Sequence, residues 1–203
     1  MRLGILGGTF DPIHTGHLAA GRAAVDCAHL DRVVFVPSAL PPHRGVAAAS
    51  AADRLAMTRL AIDGESRFEV SDVEVARGGL SYTSDTLGEL HRSRPADELF
   101  LILGWDAARL FKTWHEPERV SELASIVIIA RPGLKPPAQA DLAAAGLGAA
   151  RVINCVAHTP DVSASELRRA LASGESLPGK LPPAVERYIA SHRLYRDNQA
   201  VGT

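Results

Sequence analysis

The chain has 203 residues, 46% hydrophobic and 22% charged, with 22 Lys and Arg against 23 Asp and Glu for a formal net charge of −1. That length suits one compact domain, or one domain with a small C-terminal extension, able to bury a core without disulfide staples. The near-neutral balance excludes a global basic field of the kind that holds a nucleic-acid backbone, while leaving room for a local anion site.

Cys27 and Cys155 lie far apart and form no Cys-x-x-Cys unit. This argues against a zinc site and a disulfide framework, and fits a reducing compartment. The apolar start at Met1–Gly8 reaches Asp11-Pro12 too soon for the core of a secretory leader, and no run approaches the roughly 18 apolar residues of a membrane span. A soluble cytoplasmic protein is the expectation.

In chain order, Arg2–Leu6 reads as the first buried strand and is followed by a Gly-rich turn and an Ala-rich helix over His17–Leu30. Arg32–Pro37 is the second strand. Ser38–Ser50, with Pro41-Pro42-His43-Arg44, is long for a connection and so is functional or mobile. Ala51–Asp63 is a helix with apolar positions at Leu55, Leu60 and Ile62. Phe68–Gly79 reads as extended pieces joined by Gly78-Gly79, and Ser84–Arg92 as a helix capped by Ser84. Glu98–Leu103 and Ser125–Ala130 are further strands, separated by a helix over Glu116–Ala124 with Pro117 in its first turn. Pro132–Pro137 opens a connection into an Ala-rich helix, and Arg151–Val156 is a fifth strand. Helices at Ser163–Ser173 and Pro182–His192 close the chain without intervening strands.

Continuous Val, Ile, Leu and Phe runs suit a parallel sheet covered on both faces. Their alternation with helices predicts an α/β fold, a Rossmann-like doubly wound parallel sheet with a C-terminal helical cap. The expected organisation is a single domain over 1–203, with a core at 1–157 and a helical part at 158–203. Ligands bind such sheets outside the carboxyl ends of the strands.

Two motifs are set aside. Gly174–Leu181 nearly spells a phosphate-binding loop, but Leu181 stands where a magnesium-binding hydroxyl is needed and the stretch follows a helix, so it reads as a helix-ending turn. Gly146-Leu147-Gly148 lacks the third glycine of a dinucleotide fingerprint and reads as a turn.

The strongest signal is Gly7-Gly8-Thr9-Phe10-Asp11-Pro12-Ile13-His14-Thr15-Gly16-His17-Leu18, between the first strand and the first helix. Gly7 and Gly8 let the backbone approach a ligand closely, and amides at a helix start face an anion well. His14 and His17, two residues apart across a glycine, can turn into one crevice and donate to phosphate oxygens as charge builds. A strand–turn–helix junction that happens to hold two histidines is the plain alternative. Metal binding by the pair lacks a completing Cys or carboxylate.

The pattern Gly-Gly-Thr-Phe-Asp-Pro-x-His-x-Gly-His resembles the signature of the nucleotidyltransferase superfamily with the His-x-Gly-His motif, whose members transfer a nucleotidyl group from a nucleoside triphosphate and release pyrophosphate. From Leu3 to Tyr195 the chain further resembles the bacterial nicotinate mononucleotide adenylyltransferases. The segments that carry this are Pro41–Arg44, Ser81-Tyr82-Thr83 with Thr86-Leu87, Leu101–Asp106, Thr113-Trp114, Ala130–Gly133, Val162–Arg168, Leu181–Pro183, Tyr188-Ile189 and Leu194-Tyr195. The resemblance is weakest across Lys135–Arg151. Ser165 departs from the usual Thr, and Val162 and Leu167 from the usual Ile. Trp105 varies in the family and receives no role.

The resemblance implies an enzyme that transfers the adenylyl group of ATP to nicotinate mononucleotide in NAD biosynthesis. His14, His17, Arg44 and Arg168 are the expected catalytic set. Gly7, Gly8, Thr9, Phe10, Gly104, Asp106, Ser163 and Ser165 join His14, His17 and Arg168 around ATP. His43, Arg44, Tyr82, Thr83, Trp114 and Arg131 are expected around nicotinate mononucleotide.

Several of these also have a reading of their own. His43 and Arg44 lie on a loop beside the site, where Arg offers a fork of donors, or are solvated loop charges. Gly104 and Asp106 follow a strand at the ligand edge, and Asp106 suits ribose hydroxyls or a helix cap. The Trp114 indole suits stacking on a flat ring, or is a core Trp. Ser163 and Ser165 open a helix that carries Arg168, with Glu166 as an alternative capping-box partner of Ser163. Asp11 suits turn shaping or a ribose contact better than a base.

Magnesium is expected to arrive with ATP on phosphates and water, with no protein metal ligand named. Neither nucleic acid nor membrane is an expected partner, and the sequence does not settle whether the chain forms a homo-oligomer. Alternatives are a sibling adenylyltransferase for nicotinamide mononucleotide or phosphopantetheine, and a nucleotide-binding domain without turnover. Aminoacyl-tRNA synthetases share a related motif, but this chain is short and lacks a basic tRNA surface.

Overall fold

The computed structural model describes residues 1–42, 45–130, 136–157 and 160–196. Among them a six-stranded sheet is formed by β1 (Arg2–Gly8), β2 (Arg32–Pro37), β3 (Phe68–Val70), β4 (Glu98–Gly104), β5 (Ala124–Ala130) and β6 (Val152–Val156). The order is β3-β2-β1-β4-β5-β6 and every pairing is parallel. This is the Rossmann-like α/β architecture. From β1 the chain winds outward to β3, then crosses back to β4 and winds the other way. The switch point therefore lies between the carboxyl ends of β1 and β4, where such sheets open a crevice.

Successive strand side chains point to opposite faces, and the strands divide accordingly into two cores. Leu6, Val33, Phe35, Phe100, Ile102, Val127 and Ile129 pack with α1 (Thr15–Cys27), α2 (Ala51–Ile62), α8 (Ala164–Ser173) and α9 (Pro183–Ser191). Leu3, Ile5, Val34, Val36, Leu99, Leu101, Ile126 and Ile128 pack on the other face. There they meet α4 (Thr83–Ser93), α6 (Pro117–Leu123) and α7 (Gln139–Ala144). Both faces are covered, which is why the strands read as continuous apolar runs. Gly21 lets α1 lie close to the sheet, since a Cβ there would stand 3.0 Å from the Phe35 ring and 3.1 Å from that of Phe68.

Several sequence expectations need correction. Phe68–Gly79 is not simply extended: after β3 the chain forms the short helix α3 (Val73–Arg77), which ends at Gly78 with φ +69°. Five residues are too few to show a helical period. Short turns of helix also follow β4, at α5 (Trp105–Ala108) and in a 3-10 turn at Phe111–Thr113. Ser84 is not the cap of α4; Tyr82 holds that position, and Ser84 is buried. α1 begins at Thr15 rather than His17, because the Thr15 amide and hydroxyl both donate to the Lys180 carbonyl at 3.0 Å. The Gly174–Leu181 segment is indeed a turn, with Gly174 left-handed at the end of α8, and its carbonyls brace the start of α1.

The inward face of α2 differs from expectation as well. Arg54, Met57, Thr58, Ala61 and Ile62 are buried, whereas Leu55 is half-buried and Leu60 is 36% exposed. The cysteines also overturn their reading. Cys27 at the end of α1 and Cys155 on β6 form a disulfide, their Cα atoms 5.9 Å apart across 128 residues of sequence. Sequence distance is no guide here, since α1 packs against β6. No helix among the described residues is long and apolar enough to cross a membrane.

Candidate active site

The switch point is lined by glycine on both strands. A Cβ on Gly7, near the end of β1, or on Gly104, at the end of β4, would meet nothing within 4 Å. Both backbones are open to an approaching group. Gly8 differs, because its missing side chain is replaced by the Phe10 ring, 2.7 Å from where a Cβ would stand.

Phe10 adopts a left-handed φ of +49° and buries its ring against Phe35 and the edge of His17. That backbone conformation is rare for an aromatic residue and needs surrounding contacts to hold it. The Phe10 ring is therefore core, and only its main chain faces the loop. The following Asp11–Pro12 peptide is cis.

His14 then stands in extended conformation at the position before α1. Its ring stacks on that of His17 at a centroid distance of 3.7 Å and an angle of 25°. The His14 amide donates to Nδ1 of His17 at 3.2 Å. An accepting Nδ1 puts the proton of a neutral His17 on Nε2. The His14 ring is buried, its Nδ1 has no hydrogen-bond partner among the described residues, and desolvation lowers its pKa to about 4. At neutral pH His14 is an uncharged imidazole in a dry setting, where an anion's charge would favour its protonation. Gly16 makes room for it: a Cβ there would lie 3.0 Å from His14 Nδ1 and 3.5 Å from the Pro160 carbonyl. The start of the final helical segment thus passes over the start of α1.

Arg168 comes from that segment. Its Nη1 donates to the Asp11 carbonyl at 2.7 Å, and its Nη2 lies 3.4 Å from Ser165 Oγ. Ser163 and Ser165 are exposed at the start of α8. Ser163 makes no side-chain capping bond, so the capping box with Glu166 is absent. Asp106 sits in the first turn of α5 rather than at its cap, exposed and 3.9 Å from Arg109 Nε. Neither it nor the two serines is held by a buried network.

A second group forms at the start of α4. Tyr82 stacks on His115 at 4.2 Å and 21°, and Ser84 Oγ lies 3.3 Å from His115 Nδ1. Trp114 is half-buried, packed on one sheet core and tilted against Phe111 at 5.5 Å. It is partly core and partly accessible. Ser81 fastens this group to the loop after β2: its Oγ accepts from the Ala39 amide at 2.9 Å, and its own amide donates to the Leu40 carbonyl at 2.9 Å. Below lies Glu74, whose burial pushes its carboxyl pKa up and which accepts from Thr86 Oγ1 at 2.6 Å. His43, Arg44 and Arg131 lie outside the described residues.

Arg54 went unnoticed in the sequence. It is 1% exposed, and its guanidinium donates to the carbonyls of Thr9 at 2.7 Å, Ala39 at 3.0 Å and Ala49 at 3.2 Å. Desolvation pulls its pKa down, while Asp11, Tyr195 and Glu74 oppose that. Three loop carbonyls buried behind the glycine crevice need donors, and one guanidinium satisfies all three. The available signal was its helical spacing with Met57, Thr58 and Ala61 on the inward face. His115 was also missed; only its place beside Trp114 marked it.

Thr9 contributes its carbonyl to Arg54, and Thr83 begins α4. The structure therefore brings together Gly7, Gly8, Thr9, His14, His17, Gly104 and Arg168 around the switch point. Tyr82, Thr83 and Trp114 form the neighbouring group.

Among the described residues no group of three or more His, Cys, Asp or Glu is placed to hold a metal ion. The buried carboxylates Asp11 and Glu74 are already engaged by amides, hydroxyls and guanidinium groups. These residues offer no preassembled metal cage.

A family model described as cytidylyltransferase-like matches residues 5–170. The chain is 47% identical to a protein of Thermus thermophilus described as "Probable nicotinate-nucleotide adenylyltransferase", over 97% of this chain and 100% of that one. It is 44% identical to a protein of the same description from Citrifermentans bemidjiense, over 97% and 99%. Among solved structures, the Plasmodium falciparum nicotinic acid mononucleotide adenylyltransferase complexed with NaAD matches with a TM-score of 0.76 at 21% identity, covering 96% of this chain and 97% of that one.

Proposed function

We infer the reaction from the premise that this chain belongs to the cytidylyltransferase-like family. It transfers the adenylyl group of ATP to nicotinate mononucleotide, giving nicotinate adenine dinucleotide and pyrophosphate, a step of NAD biosynthesis. The observation that carries this is the stacked His14–His17 pair at the start of α1, beside open glycines on both strands of the switch point. Its full-length relatives bear the corresponding name.

The nucleotide phosphate attacks the α-phosphorus of ATP in line, and the bond to the β-phosphate oxygen breaks. A phosphate monoester is already anionic near neutral pH, so catalysis reduces to positioning and charge stabilisation. Gly7, Gly8 and Gly104 admit the nucleotide against the backbone, and the main chain of Thr9 and Phe10 lines its path. Nε2–H of His17 donates to a phosphate oxygen. His14, dry and unpartnered at Nδ1, gains a partner as the triphosphate enters. Arg168, with Ser163 and Ser165, holds the leaving pyrophosphate, and Arg44 is assigned to the same phosphate charge. Asp106 meets the ribose.

Tyr82, Thr83 and Trp114 receive the pyridine ring and its carboxylate, and His43 and Arg131 are assigned to the same substrate. Magnesium would arrive with ATP, with no described side chain assigned to hold it, and would supply neutralisation of phosphate charge.

The test is pyrophosphate release with ATP and magnesium, run in parallel with nicotinate or nicotinamide mononucleotide. Fast release with the acid and little with the amide is expected. Equal rates would remove the carboxylate selectivity assigned to Tyr82 and Thr83, and no release with either would reject the reading. His17→Ala is expected to lower kcat by about 100-fold or more, the scale of a lost transition-state donor, with the fold intact by circular dichroism.

A further inference from the structure

Asp11 stands where three segments distant in the chain meet. Its carboxylate accepts from the Ala48 amide at 2.7 Å and the Ala49 amide at 3.1 Å, in the loop before α2. It also accepts from the Tyr195 phenol at 2.8 Å. Its carbonyl accepts from Arg168 Nη1 at 2.7 Å, and the same nitrogen lies 3.8 Å from Asp11 Oδ2. Asp11 is 4% exposed, so its orientation is set by these protein donors.

Tyr195 is an unusual donor. It comes after α9, 184 residues from its acceptor, and holds a left-handed φ of +60°. Such a backbone conformation is costly for an aromatic residue and persists where surrounding structure enforces it. Leu194 and Tyr195 pack against the core, and the Leu194 amide donates to the Ile189 carbonyl at 3.0 Å. Burial and the bond to Asp11 push the phenol pKa up, so the hydroxyl stays a donor. The ring accounts for the packing, and a Phe ring would pack alike. The hydroxyl accounts for something else, a directed bond to a carboxylate three residues before His14.

We propose that Tyr195 is a positioning residue for adenylyl transfer: its hydroxyl orients Asp11, and Asp11 aligns Arg168 and the loop before α2 with His14 and His17. The inference deepens the proposed function and rests on Arg168 acting on the triphosphate. Tyr195 itself touches no substrate. It acts because a buried carboxylate that loses its phenol donor is free to turn toward Arg168 and away from the Ala48 and Ala49 amides, and a guanidinium displaced by a fraction of an ångström no longer meets developing charge.

The test uses Tyr195→Phe in the full chain, with Asp11→Asn as a second variant that keeps the shape of the carboxyl group. Hydrogen exchange of the Ala48 and Ala49 amides is read without substrate, and kcat and KM are read with ATP, magnesium and nicotinate mononucleotide. Exchange at both amides is expected to be about tenfold faster in Tyr195→Phe. A fall in kcat of about tenfold is expected as well, with KM for nicotinate mononucleotide within about twofold. In an Arg168→Lys background the Tyr195 substitution is expected to add less than about twofold, since both act on one unit. Unchanged exchange in both variants would overturn the positioning link whatever the reaction. Faster exchange with wild-type kcat, or a fully additive cycle, would overturn the role in transfer while leaving the proposed reaction standing. An unmodified protein that transfers no adenylyl group would overturn the reaction and this role together.

Discussion

Gly16 and His14 are a steric pair: a Cβ on the glycine would stand 3.0 Å from Nδ1 of the imidazole. The glycine lies within the first turn of α1, where its backbone needs no special conformation. Its role is volume, and the volume belongs to the ring. Gly16→Ala is expected to push the His14 ring off its stack with His17. Steady-state kinetics should show kcat lowered about tenfold or more, as for small misplacements of catalytic groups. The melting temperature should change little, because the helix gains an Ala. Wild-type kcat in Gly16→Ala would show that the stack tolerates displacement.

His14 also predicts a pH dependence of stability. Its folded pKa, about 4, lies below the ordinary value of 6.5 because burial disfavours the charged ring. Below pH 6.5 the unfolded chain binds a proton that the folded chain refuses, so this contribution to stability falls as pH drops and levels off near pH 4. At 1.36 kcal/mol per pKa unit, the loss is about 3 kcal/mol. Urea unfolding of wild type and His14→Gln between about pH 7 and pH 4 should show a steeper acid loss in the wild type by about that amount. Parallel curves would mean that His14 is hydrated in solution.

Arg54 holds together loops that no other described side chain joins in this way. Replacing it with Met keeps much of its volume and leaves the carbonyls of Thr9, Ala39 and Ala49 without their donor. Stranding buried acceptors costs roughly 1–3 kcal/mol apiece before relaxation. Arg54→Met is expected to lower unfolding stability by about 3 kcal/mol in urea titration. Arg54→Lys should recover only part, since an ammonium does not reproduce the planar fork. A stability equal to wild type in Arg54→Met would mean that water replaces the guanidinium.

Trp114 divides its surface between the core and solvent. Its contact with Phe111 gives it a structural share, so Trp114→Ala should destabilise the fold by about 1–3 kcal/mol. Its functional share should appear as a KM for nicotinate mononucleotide raised about tenfold, the scale of a lost aromatic stack, with KM for ATP nearly unchanged. Equal effects on both substrates would place Trp114 in the core alone.

What could be read without the structure was what neighbours in sequence decide. Gly7, Gly8, His14, Gly16 and His17 fall within one strand–turn–helix unit, so their spacing already carried their proximity. Five of the six strands were visible, four of them as apolar runs because both sheet faces are covered. α3 was not, because five residues do not complete a pattern. Ser84 was misplaced as a cap because Ser favours that position in general, whereas this one turns inward to His115.

Long-range pairing was decided by the tertiary structure alone. Arg54 meets Thr9 across 45 residues, Cys27 meets Cys155 across 128, and Tyr195 meets Asp11 across 184. Sequence periodicity reports which face of an element is apolar; it does not report which polar group on another element needs a donor. Only docking α2, α8 and the segment after α9 against the loop at the end of β1 creates buried acceptors, and it is those acceptors that give Arg54, Arg168 and Tyr195 their places.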